Sequence, residues 1–101
     1  MAFAKAANIS DVATGSIKEV QVNGQPIALA NVGGTFHAIN NTCLHRGGPL
    51  GQGVLQGTVV TCPWHGWQFD VVTGKAPANP AVGISCYPVE IRGQEVFVDL
   101  G

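Results

Sequence analysis

With 101 residues, 46% of them hydrophobic and only 11% charged, the chain is long enough for one domain and too apolar for disorder. A net charge of −1 without a basic run gives nucleic acid and anionic membranes little to attract. No apolar run approaches the ~18 residues of a spanning helix, and the start, Met1 to Lys5, lacks the apolar core of a signal peptide. A cytoplasmic monomer that binds neither membrane nor nucleic acid is therefore expected.

In chain order, Ile17–Val22 is the first predicted strand, with Ile17, Glu19 and Gln21 alternating against Lys18, Val20 and Val22. Asn23-Gly24 follows as a hairpin signal, because the tight turn between twisted strands needs two positive φ angles. Gln25–Asn31 is the returning strand, Gly33-Gly34 a second turn and Thr35–Asn40 a third strand. Asn41–Gly53 is an irregular stretch rich in Gly, with Cys, His and Pro among them. Val59–Thr61 and Gln68–Asp70 are short strands on either side of a second such loop, Cys62–Trp67. Asp70 with Thr73-Gly74 predicts a turn, and Lys75–Gly83, holding Pro77 and Pro80, a third irregular stretch. Tyr87–Ile91 and Val96–Leu100 flank Gly93-Gln94 in a last hairpin. No long 3.6-residue period is present, so little helix is expected. The prediction is an all-β chain, one domain over residues 1–101, with a loop-rich metal-binding lobe inserted at about residues 41–70.

Three cysteines in so short a chain do not make a disulfide framework. Cys86 stands alone, whereas Cys43 and Cys62 each stand near a histidine, His45 and His65. In extended backbone Cys43 and His45 point to one side. The wider Cys62-Pro63-Trp64-His65 spacing needs a turn, and Pro63 presets φ for one. Sixteen residues separate the two halves, enough for a hairpin that joins them. Two thiolates and two imidazoles could hold a tetrahedral zinc ion. Each half, however, mixes one sulfur with one nitrogen, which suits a Rieske [2Fe–2S] centre, where two cysteines hold one iron and two histidines the other. Gly47, Gly48 and Gly66 would let backbone N–H groups approach the bridging sulfides.

The segments Cys43-Leu44-His45-Arg46-Gly47-Gly48-Pro49-Leu50 and Cys62-Pro63-Trp64-His65-Gly66-Trp67 resemble the two boxes of Rieske proteins. With Phe69–Gly74 and Tyr87–Glu90, the chain resembles the soluble Rieske ferredoxins of bacterial ring-hydroxylating oxygenase systems over about residues 15–100. The resemblance implies an antiparallel β-sandwich base carrying a cluster lobe. It implies one [2Fe–2S] cluster, with Cys43 and Cys62 on the inner iron and His45 and His65 on the outer one. It also implies a one-electron carrier between a flavin-dependent ferredoxin reductase and a terminal oxygenase. The alternative is the small Rieske subunit of an assimilatory nitrite reductase, a family that often lacks histidines this chain retains. Relatives in cytochrome bc complexes carry an extra cysteine in each box, joined as a disulfide, and place Ser and Tyr hydroxyls near the cluster. Here Gly48 and Trp64 stand in the cysteine positions, and Trp67 and Phe69 in the hydroxyl positions. The expected potential is accordingly low.

The remaining residues have plainer expectations. His37, in a predicted strand, is a satisfied or surface histidine, and Cys86 a small buried or half-buried filler. Trp64 packs across the first loop, lends an exposed edge to a docking surface, or both. Arg46 is a solvated rim residue, and Trp67 and Phe69 share a strand face in the core. A mononuclear iron site needs two histidines and a carboxylate, and His37 alone cannot supply it, so no catalytic residue is assigned and the chain is not expected to be an enzyme.

Overall fold

Ile27, Ala28, Leu29 and Ala30 are consecutive and have no exposed surface. Side chains alternate between the two faces of a strand, so this run demands cover on both. The computed structural model, which describes residues 3–42, 48–64 and 66–100, shows what supplies it. Twelve strands lie in the described residues: β1 (Phe3–Asn8), β2 (Ile17–Val22), β3 (Gln25–Val32), β4 (Thr35–Asn40), β5 (Val54–Gln56), β6 (Val59–Thr61), β7 (Gln68–Asp70), β8 (Lys75–Ala76), β9 (Asn79–Gly83), β10 (Cys86–Tyr87), β11 (Val89–Arg92) and β12 (Glu95–Asp99). They form four sheets, ordered β10-β4-β3-β2, β1-β12-β11, β5-β6-β7 and β8-β9, with every pair of strands antiparallel.

The β10-β4-β3-β2 sheet is the shared wall. On one face Val20, Val22, Ile27, Leu29, Phe36 and Ala38 pack with Val96 and Val98 of β12, which makes the sandwich base. On the other, Ala28, Ala30 and Ile39 pack with Leu50, Leu55, Val60, Cys62 and Phe69. That second core seats the β5-β6-β7 sheet and its two connecting loops. The all-β expectation holds, and the helical content described is two 3₁₀ turns, Ile9–Asp11 and Leu50–Gln52.

The first hairpin forms as its sequence requires. Asn23 and Gly24 take φ of 51° and 80°, and Val22 pairs with Gln25. The predicted strands Ile17–Val22, Thr35–Asn40, Val59–Thr61 and Gln68–Asp70 have the observed bounds. Tyr87–Ile91 differs: it breaks at Pro88 into β10 and β11, which belong to different sheets. Pro88 has no N–H for a ladder, and its carbonyl accepts from Asp99 N at 3.1 Å as the chain crosses to β12. The stretch Lys75–Gly83, expected to be irregular, contains the β8–β9 hairpin. Asp70 builds the predicted turn: its Oδ1 accepts from Val72 N at 2.8 Å, and its carbonyl from Gly74 N at 2.7 Å.

At the entry to β5 the chain passes close to β6. A Cβ on Gly53 would collide with the Thr61 carbonyl oxygen. Gly53 has an ordinary negative φ of −81°, so contact and not backbone strain is the constraint. Gly53→Ala is expected to destabilise the fold by about 1–3 kcal/mol, read as a lower denaturant midpoint with an unchanged slope. An unshifted midpoint would contradict the close approach of β5 and β6.

Candidate metal centre

The second box is a loop closing the β6–β7 hairpin. Thr61 pairs with Gln68, and Cys62 N donates to the Trp67 carbonyl at 2.6 Å, so the loop leaves and re-enters the sheet at a narrow neck. Gly66, at φ 73°, makes the return in a conformation that side chains disfavour. Cys62 is 2% exposed and belongs to the lobe core. Its Sγ accepts from Trp64 N at 3.4 Å.

The first box follows β4, and its two ends pair with each other. Thr42 bridges to Pro49, and the Asn41 carbonyl accepts from Leu50 N at 2.7 Å. Cys43, His45 and Arg46, like His65 of the second box, lie outside the described residues. Gly48 shows where the two boxes meet. A Cβ there would stand 2.7 Å from Cys62 Sγ and 3.0 Å from Trp64 Cγ. A buried sulfur that accepts an N–H bond, faced by a glycine with no room for a methyl, is a fitting seat for a thiolate in an iron–sulfur cradle.

Gly48 and Trp64, which stand where relatives hold a disulfide, are thus in contact. Trp64 packs against Gly48 of the first box, as one expectation had it, and is 50% exposed. Trp67 and Phe69 separate. Phe69 is fully buried, whereas Trp67 is 36% exposed, with ring centres 6.3 Å apart. Trp67 precedes β7, past the edge of the core, and forms one wall of a groove of about 420 Å³ with Ala76, Ala78 and Val82. The core placement expected for it is corrected.

His37 is half-buried in β4. Cys86 is not a buried filler: it is exposed at the start of β10. Gly74 lies beside it, where a Cβ would stand 2.9 Å from its Sγ, and the thiol points to the Val72 carbonyl at 4.0 Å. Partial shielding, and then the Asp70 carboxylate, raise its pKa above the usual thiol range. Sequence reasoning passed over Asn41, which is buried. Its Oδ1 accepts from Gly51 N at 2.7 Å, and its Nδ2 donates to Glu19 Oε1 at 3.1 Å.

A family model, Rieske [2Fe-2S] domain, matches residues 2–88. The chain is 40% identical over 101 residues to the ferredoxin component of biphenyl 2,3-dioxygenase from Rhodococcus jostii (strain RHA1), covering 99% of this chain and 94% of that one. It is 38% identical over 97 residues to the ferredoxin component of the naphthalene 1,2-dioxygenase system of Pseudomonas putida, covering 95% and 93%. A solved complex of reduced oxygenase and oxidised ferredoxin in carbazole 1,9a-dioxygenase contains a chain that superposes with a TM-score of 0.85 at 37% identity, covering 95% of this chain and 91% of that one.

The raised pKa of Cys86 has a chemical signature. At neutral pH its thiolate fraction is below that of a free cysteine, so alkylation by iodoacetamide is slow. The rate is expected to keep climbing past pH ~9, where an unshielded cysteine levels off. Mass spectrometry of the Cys86 peptide measures this directly, and levelling off by pH ~9, as an unshielded cysteine does, would contradict the shielding.

Proposed function

This chain belongs to the Rieske [2Fe–2S] domain family, and from that premise we propose that it relays single electrons from a flavin-dependent ferredoxin reductase to a terminal oxygenase that attacks aromatic rings. It is an electron carrier and not itself an enzyme, and it uses one [2Fe–2S] cluster. In this reading the 101 residues are one domain. Cys43 and Cys62 hold one iron, and His45 and His65 the other. The cluster supplies a site that gains and loses one electron. The protein supplies its seat: a water-poor pocket at Cys62, an N–H donor from Trp64, and a surface through which a partner comes close.

The observation that carries the reading is the environment of Cys62 Sγ, buried, hydrogen-bonded and pressed by Gly48 of the other box. The exposed Cys86 thiol suits a reducing compartment, which supports a cytoplasmic location. Purified protein is expected to hold two irons and two sulfides and to give a Rieske-type EPR signal when reduced. Colourless protein with stoichiometric zinc after anaerobic iron–sulfide reconstitution would refute this. Trp67 and Phe69 bring no hydroxyl to the sulfurs, so protein-film voltammetry should place the potential near the low end of the Rieske range, about −150 mV.

Residues 41–69 carry one charged side chain, Arg46, while Trp64 and Val54 expose 50% and 61% of their surface. Docking at this end gains little from long-range attraction. The rate of electron transfer to the oxygenase of a naphthalene 1,2-dioxygenase system should change less than about threefold as ionic strength rises tenfold. A steep fall with salt would show that charged residues elsewhere steer the encounter.

A further inference from the structure

Both polar atoms of the buried Asn41 side chain are engaged, and they tie three segments together. Oδ1 receives the Gly51 N–H, and Nδ2 donates to Glu19 of β2. The same Glu19 oxygen accepts from Gln52 Nε2 at 3.2 Å. Gly51 lies so close to β2 that a Cβ would stand 2.5 Å from Glu19 N. Asn41 and Leu50–Gln52 are the two ends of the first box, so the knot closes the loop and bolts both ends to a strand of the shared sheet.

We propose that Asn41, braced by Glu19, is the positioning residue for the first ligand loop, fixing where Cys43 and His45 stand relative to Cys62. The proposal rests on the ligand assignment above. Cys43 follows Asn41 by two residues, and Gly48 at the far end lies against Cys62 Sγ, so movement at the knot reaches the centre directly. The chemistry of the position requires an amide. It accepts on one side and donates on the other, and Glu19 can only accept when ionised. An aspartate would set two carboxylates against each other, and an alanine would leave the Gly51 N–H without its partner. Glutamine would be one methylene too long for a buried seat.

The test reverses the polarity of the pair. Asn41→Asp should release iron to a chelator about tenfold faster, shift the visible circular dichroism and the midpoint potential, and speed amide exchange at Gly51. In the double variant Asn41→Asp with Glu19→Gln, the introduced amide donates to the introduced carboxylate. Iron release should return to within about threefold of native, together with the spectrum and potential. Faster exchange at Gly51 with a native spectrum, potential and iron release would overturn the proposal, because the knot would then be purely structural. Failure of the double variant to recover would also overturn it. If the single variant does not fold, Glu19→Ala should show the same changes in smaller degree and Glu19→Gln almost none; equal behaviour of the two refutes the brace. A native chain that holds no iron and sulfide sinks the ligand assignment and this role with it, while exchange at Gly51 still reports on the knot itself.

Discussion

A strand covered on both faces governs the rest of the molecule. Ile27 and Leu29 of β3 belong to the sandwich, and Ala28 and Ala30 belong to the lobe. Each buried large aliphatic side chain contributes roughly 1.5–3 kcal/mol, and a chain of this size has few to spare. Using one sheet as the wall of two cores economises on backbone. It also ties the lobe to the base. The small alanines on the lobe side of β3 share one buried cluster with the fully buried Phe69.

The two loops of the centre are restrained in different ways. The second is held within its own hairpin, through Thr61–Gln68 pairing and the Cys62–Trp67 backbone bond. The first is also pinned at its neck, by the Thr42–Pro49 bridge and the Leu50–Asn41 backbone bond, and is tied in addition to Glu19 of β2, 22 residues upstream of Asn41. Bonds across the neck thus serve both ligand loops, and a long-range polar knot is added at the first. The loops meet at Gly48, where the want of a side chain lets a sulfur and an indole approach the backbone.

Where side chains alternate and a turn has its own signal, the sequence is readable, and β2, β4, β6 and β7 were legible to the residue. Strand β1 was not, because Phe3–Asn8 is rich in alanine, a poor strand former, and is held by pairing with β12 at the opposite end of the chain. Pro77 and Pro80 hid the β8–β9 hairpin, since proline argues against a ladder. In the centre, the spacing of the two boxes pointed to Cys62, and the family resemblance set Gly48 opposite Trp64, which are in contact. Asn41 was invisible because Asn40-Asn41-Thr42 has the composition of an ordinary loop, and its partner Glu19 lies on another strand. Trp67 misled by alternating correctly with Phe69 one step beyond the end of β7. Cys86 misled because its exposure is set by tertiary neighbours that its own segment does not announce.

The seating of Trp64 on Gly48 has a further consequence for how the protein matures. A disulfide across the two loops would need an oxidant to form and a thiol to reopen, on a scale of minutes to hours. An indole resting on a glycine parts and closes by thermal motion alone. The contact that joins the two boxes at Gly48 and Trp64 therefore forms without any thiol–disulfide exchange.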